Sequence, residues 1–185
     1  MRLIIFGGPG SGKGTQAKEL CSRLRITAVA TGDMLRQAIA EQTHLGRQIQ
    51  PYVEKGELAP DEIMIQFIQQ RLNQPDVAPG WLLDGYPRTA FQAEELDFLL
   101  DELNQRLDRA IYLEVPDATL LSRSLHRSRM DDQPDVIQRR IQLFHDRTLP
   151  MLEYYERRGR LLRIDGDRPL EDVHHAILNG LGIAL

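Results

Sequence analysis

The sequence predicts an α/β domain built on a parallel β-sheet with helices on both faces. Three observations carry this expectation. Short apolar runs alternate along the chain with longer segments of helical periodicity. The first run leads directly into a glycine-rich turn and then into a helical pattern. With 185 residues, 42% hydrophobic and 27% charged, the chain has the size and composition of one domain with its own core.

The strands are read from the apolar runs. Arg2 to Phe6, Trp81 to Leu83, Ala110 to Val115 and Leu161 to Ile164 suit buried strands, and Ile26 to Ala30 forms a weaker one. Between them, Ala17, Leu20, Cys21 and Leu24 recur at helical spacing, which puts Cys21 on a buried face. Pro60-Asp61-Glu62 opens a helix with proline and acids at its positive end, followed by the stripe Met64, Ile65, Ile68 and Leu72. Thr89-Ala90-Phe91-Gln92 has capping-box form and begins a helix through Leu103. From Pro134 a long helix should turn Ile137, Ile141 and Phe144 inward until Pro150 bends or interrupts it. Leu170, Val173, Ile177 and Leu181 mark the inner face of the last helix. The stretches 33–71 and 123–140 are too helical to be mere connections, and are expected over the carboxyl edge of the sheet, where such folds bind ligands.

Composition narrows the function. The leading apolar run, Leu3 to Phe6, is far shorter than a secretory or membrane-spanning segment, so a cytoplasmic protein is expected. The single cysteine excludes an internal disulfide and a thiolate zinc cage. His44, His126, His145, His174 and His175 are not spaced as metal ligands. A net charge of −4 argues against general binding to nucleic acid or anionic membranes.

Gly7-Gly8-Pro9-Gly10-Ser11-Gly12-Lys13-Gly14-Thr15 follows the first strand and precedes a helix. Glycines let backbone N–H groups turn inward around phosphate oxygens, the helix N-terminus adds positive potential, and Lys13 can reach the terminal phosphates. This is a P-loop. Its usual Ser or Thr after the lysine, a Mg²⁺ ligand, is replaced by Gly14, with Thr15 following. Asp84, at the end of the Trp81 to Leu83 strand, is the candidate to hold Mg²⁺ instead, through water.

Two further loops end in arginine: Thr31-Gly32-Asp33-Met34-Leu35-Arg36 and Asp84-Gly85-Tyr86-Pro87-Arg88-Thr89. Beside a P-loop, guanidinium forks at strand ends suit a second phosphate-bearing substrate. A third basic group, Arg123, Arg127, Arg129, Arg139 and Arg140, surrounds Asp131-Asp132. Phosphoryl transfer depends on positioning and charge neutralisation, which such arginines supply.

The P-loop continuing Lys-Gly-Thr-Gln, the Thr-Gly-Asp-Met-Leu-Arg segment, Asp-Gly-Tyr-Pro-Arg-Thr and Arg-Met-Asp-Asp-Gln together resemble the adenylate kinases, in order and spacing over essentially the whole chain. The resemblance implies a single P-loop NTPase-type domain, residues 1–185. It would have a five-stranded parallel core, a monophosphate-binding flap over about residues 30–59 and a short, zinc-free lid over about residues 126–132. It also implies reversible, Mg²⁺-dependent transfer between ATP and AMP to give two ADP, in a monomer with no nucleic-acid or membrane partner. Gly10 to Thr15, Arg123, Arg127 and Gly166 would bind ATP. Thr31, Arg36, the backbone of Glu57, Leu58 and Ala59, Gly85, Tyr86, Pro87, Arg88, Gln92, Arg129 and Arg140 would bind AMP. Lys13, Arg88, Arg127, Arg129 and Arg140 would act on the transferring phosphate, and Asp131 and Asp132 would close the lid. Gln92 would read the adenine edge, and Thr31 favours adenine because pyrimidine-specific relatives typically carry alanine there. A kinase for UMP, CMP or another small acceptor remains an alternative reading, as does a non-catalytic nucleotide switch. The guanine-reading Asn-Lys-x-Asp motif is missing, which weighs against the last.

Overall fold

The computed structural model describes residues 1–127 and 133–184, without the Arg127 side chain. Arg127 as a ligand, Arg129, Asp131, Asp132 and most of the expected lid therefore lie outside the described residues.

Five parallel strands form one sheet in the order β2-β3-β1-β4-β5. They are β1 (Arg2–Phe6), β2 (Thr27–Ala30), β3 (Trp81–Asp84), β4 (Arg109–Glu114) and β5 (Leu161–Asp165). All five runs predicted from the sequence are strands, with ends shifted by at most one residue. β1 is central: Ile5 is in register with Asp84 of β3 on one side and with Ile111 of β4 on the other. The strand order reverses there, so the crevice beyond its carboxyl end is where a doubly wound sheet binds ligands.

Because side chains alternate across a strand, the sheet divides the core in two. Ile4 and Phe6 join Trp81, Leu83 and Tyr112 beneath α4 (Asp61–Leu72), α5 (Ala90–Glu102) and α8 (Leu149–Glu156). Leu3 and Ile5 join Leu82, Ile111 and Leu113 beneath α1 (Lys13–Leu24) and α9 (Leu170–Gly180). Continuous apolar strands are required because both faces are covered. Trp81 is wholly buried, and its indole N–H donates to Gln105 Oε1 at 3.2 Å.

Helices α2 (Thr31–Ala40) and α3 (His44–Glu54) follow β2, and α4 returns the chain to β3. At the α2–α3 turn Gly46 lies so close to Ala38 that an added Cβ would meet its carbonyl oxygen at 2.0 Å. After β4, α6 (Asp117–Arg127) and α7 (Pro134–Leu143) bury Leu120, Ile137 and Ile141 in a small cluster with Val115.

Three expectations need correction. Leu170 is not on the inner face of the last helix: it is 46% exposed at the first position of α9, and Leu178 fills the core with Val173 and Ile177. The helix from Pro134 breaks before Pro150, through a π-helical turn at Phe144–Thr148. The Leu149 N–H reaches back five residues to the Phe144 carbonyl there, an arrangement suited to a proline that cannot donate at the next position. Gln92 is also not a capping-box partner. Thr89 caps α5 by accepting from the Gln92 N–H at 3.2 Å, but the Gln92 side chain turns elsewhere.

Candidate active site

The turn after β1 is built by glycine. Gly10 and Gly12 have φ of 82° and 87°, in the left-handed region that favours this residue. A Cβ at Gly10 would also strike the Leu120 carbonyl oxygen at 2.5 Å. Gly12 serves as the N-cap of α1 and brings no side chain to the helix end. The opening N–H groups of α1 thus lack a side-chain cap, as suits a helix end presented to an anion. Lys13 Nζ folds over the turn and donates to the Gly8 carbonyl at 3.2 Å. Ser11 is buried and its N–H donates to Gly8 O at 3.2 Å, so it contributes to the shape of the loop rather than to its exposed lining. Gly14 and Thr15 occupy the first turn of α1 and line the cleft beside it.

Asp84 ends β3 opposite that turn, and its Oδ2 lies 3.5 Å from where a Gly14 Cβ would stand. The loop after β3 is cis at Tyr86-Pro87. A Cβ on Gly85 (φ 94°) would meet the Thr31 hydroxyl at 2.6 Å, so glycine permits β3 to approach α2 this closely. Thr31 is 1% exposed and donates to the Asp84 carbonyl at 2.9 Å.

Arg88 is held at three points. Its Nε donates to Gly85 O at 2.7 Å, its N–H donates to Gln92 Oε1 at 2.8 Å, and its carbonyl accepts from the Thr148 hydroxyl at 3.2 Å. Burial depresses the guanidinium pKa, Asp84 offsets this, and Arg36 depresses it further. Arginine stays charged nonetheless, so the pocket holds positive charge that an anion would relieve. Arg36 forms an ion pair with Asp33 one helical turn away.

These groups border connected clefts. Lys13, Pro87, Arg88 and Arg140 line one beside β1. Thr31, Arg36, Glu57, Leu58, Ala59, Gly85, Arg88, Gln92 and Arg140 line a second. The P-loop, Asp84, Arg36, Arg88, Arg123 and Arg140 line a third. Arg88 and Arg140 belong to all three. Arg123 donates to Gly166 O at 3.1 Å, which draws α6 to the loop after β5. The Tyr86 side chain instead points into the core, with its hydroxyl donating to Gln92 O at 3.3 Å. Arg139 is exposed. Among the described residues no group of three potential ligands could hold a metal ion.

Sequence reasoning missed two residues that position this site. Asp61 accepts from Gln92 Nε2 at 2.7 Å, and Thr148 supports the Arg88 carbonyl. Asp61 carried only the signal of a first-turn acid, and Thr148 carried none.

The family model for adenylate kinase matches residues 5–160. The chain is 62% identical over 178 residues to adenylate kinase 2 of Nostoc sp., covering 96% of this chain and 97% of that protein. It is 52% identical to adenylate kinase 2 of Synechocystis sp., over 96% and 98% of the two chains. Against the adenylate kinase of Stenotrophomonas maltophilia the identity is 43%, over 96% and 97%. The P-loop, the arginine-lined clefts and this full-length similarity agree: the chain belongs to the adenylate kinase family.

Proposed function

We propose that the chain interconverts Mg·ATP plus AMP and two ADP, with donor and acceptor held in adjoining clefts. The observation that carries this reading is that Arg88 and Arg140 line both the cleft of the P-loop lysine and the cleft between Thr31 and Gln92. Two phosphate-bearing ligands placed in those clefts would meet at these two guanidinium groups.

On the donor side, the α1 N-terminus from Gly10 to Thr15, with Lys13, holds the ATP phosphates. Arg123 and Gly166 border the donor. On the acceptor side, Arg36, Arg88 and Arg140 hold the AMP phosphate, while Thr31, Glu57 to Ala59 and Gln92 surround its base. Gly85, Tyr86 and Pro87 contribute through the backbone that carries Arg88. Arg127, Arg129, Asp131 and Asp132 are assigned to the lid by the family pattern.

An ionised oxygen of the AMP phosphate attacks the γ-phosphorus. The bond from that phosphorus to the β–γ bridging oxygen breaks, and ADP forms on both sides. No general base is needed, because the nucleophile is already ionised. The chain's contribution is alignment and neutralisation of charge on the transferring group. Mg²⁺ enters with ATP. Asp84, a hard oxygen donor facing the position where P-loops usually carry a hydroxyl, fits a role in holding it through water. No structural zinc belongs to this reading, since the one cysteine is buried in the core.

The proposal includes a single domain with an acceptor flap over about residues 30–59 and a lid over about residues 126–132. Closure on both substrates would exclude water from the γ-phosphate. It also includes a cytoplasmic monomer acting on nucleotides alone; among the described residues no helix is long and apolar enough to cross a membrane. The test is ADP formation from ATP with AMP, UMP, CMP or GMP, with and without Mg²⁺. Fast, Mg²⁺-dependent turnover with AMP supports the reading. Preference for a pyrimidine monophosphate overturns the specificity, and no transfer to any acceptor overturns the activity.

A further inference from the structure

The Gln92 side chain is 2% exposed, lines the acceptor cleft and has its amide orientation fixed from two sides. Its Oε1 accepts from the Arg88 backbone N–H at 2.8 Å, and its Nε2 donates to Asp61 Oδ1 at 2.7 Å. An amide flip would turn the oxygen toward a carboxylate, which only accepts, and the NH₂ toward a backbone N–H, which only donates. Both bonds would become repulsive contacts between like groups. Asp61 itself is fixed as the first residue of α4, where the helix dipole favours its negative charge. Thr89, which caps α5, brings its hydroxyl to 3.5 Å from Asp61 Oδ2. The carboxylate therefore ties the start of α4 to the start of α5.

Each end of the amide has capacity beyond these bonds: a second lone pair on Oε1 and a second hydrogen on Nε2. In the observed orientation that pair offers one acceptor beside one donor. The Watson–Crick edge of a 6-aminopurine presents the complement, an N6–H donor beside the N1 acceptor. A 6-oxopurine presents O6 and N1–H, which would demand the flipped amide.

We propose that Asp61 is a specificity-determining residue for the acceptor: it locks Gln92 in the orientation that accepts 6-aminopurine and rejects 6-oxopurine monophosphates. The assignment rests on Gln92 facing the acceptor base. Asp61 acts through Gln92 and is a positioning residue, not one that touches the nucleotide. Asp61→Asn keeps the shape but offers either a donor or an acceptor to Gln92, so of the two constraints on the amide only the Arg88 N–H still opposes the flip. Asp61→Ala removes the same one of the two constraints without adding a group.

The test is kcat/KM for AMP and for IMP, which exchanges the 6-substituent without adding a 2-amino group, in the wild type, both Asp61 variants and Gln92→Leu. Circular dichroism checks that each variant folds. The AMP-to-IMP ratio should fall about tenfold or more in both Asp61 variants, within the discrimination that hydrogen-bonding sites supply. Most of the change should come from better use of IMP, which mere structural damage would not produce. An unchanged ratio in the Asp61 variants with a collapsed ratio in Gln92→Leu overturns the role of Asp61 and leaves the reading of Gln92 intact. An unchanged ratio in all three overturns both.

Discussion

The Thr31 hydroxyl donates to the Asp84 carbonyl at 2.9 Å and so joins the first turn of α2 to the end of β3. The bond is part-buried and links the helix that carries Arg36 to the strand end from which the loop of Arg88 departs. Its single hydrogen is spent on Asp84, so toward a base in the acceptor cleft Thr31 can only accept. Thr31→Val should cost about 1 kcal/mol, because a partly buried carbonyl loses a donor. It should also raise KM for AMP more than KM for ATP. Urea denaturation and initial rates check both, with Thr31→Ser as the control that restores the bond. A Val variant with wild-type midpoint and KM would remove the significance given to this contact.

Lys13→Met should lower kcat about 10²- to 10³-fold, the effect of removing one preorganised charge donor, and leave folding stability nearly unchanged. The lysine contacts the Gly8 carbonyl at the mouth of the loop and contributes little burial. Steady-state rates with a thermal melt separate the two effects. Near-wild-type turnover in a folded variant would move the phosphate-binding role away from Lys13.

Arg88→Lys tests geometry at constant charge. The Nε–H of Arg88 is anchored on Gly85 O at 2.7 Å, which orients the guanidinium plane and leaves its two terminal nitrogens for phosphate oxygens. Lysine has no second nitrogen with which to do this. The variant should lose about 10²-fold in kcat/KM for AMP, of the order expected for an ångström of misplacement. A loss no larger than twofold would show that charge alone suffices at this position.

How much of this site was legible in the sequence depends on the distance over which each feature is specified. The P-loop is local: strand, glycines at left-handed positions and helix start all lie within about a dozen residues, so spacing alone exposes it. The strands were legible because burial on both faces demands unbroken apolar runs such as Leu3-Ile4-Ile5-Phe6. Gln92 has the local signature of a cap because the Thr-x-x-Gln pattern is real, while its partner Asp61 lies 31 residues away and is joined to it only by the packing of α4 on α5. Leu170 fits the helical period of α9, but the period cannot tell that this first residue is left exposed at the helix start. The π-helical turn left only the indirect trace of Pro150, which locates a break without specifying its geometry.

Cys21 gives a prediction with a definite sign. Burial pushes its thiol up from the ordinary 9.0 to about 11. Below pH 9 neither the folded nor the unfolded thiol ionises, and burial contributes its full stabilisation. Between 9 and 11 the unfolded chain loses the proton and the folded chain keeps it, so the contribution declines and is lost as pH rises through 11. The stability advantage of wild type over Cys21→Ala should therefore shrink from pH 8 to pH 10.5 in parallel denaturation curves. A constant difference would contradict the raised value. The folded thiol should also react slowly with a disulfide reagent at pH 8 and rapidly once the chain is unfolded.

Thr148 ends the π-helical turn, is buried, and donates through its hydroxyl to the Arg88 carbonyl at 3.2 Å. An uninterrupted α-helix would carry this side chain about a quarter-turn away from that carbonyl, since one inserted residue rotates the remainder of a helix by about 100°. The turn thus supports the loop of Arg88 at the wall of the cleft that Lys13 and Arg140 also line. Thr148→Val keeps the volume and removes the donor. It should lower kcat about 3- to 10-fold through a small displacement of Arg88. Thr148→Ser should restore kcat, a rescue that general loosening of the helix would not give. Equal kcat in the Val and Ser variants would show that the hydroxyl is dispensable and that the π-helical turn serves packing alone.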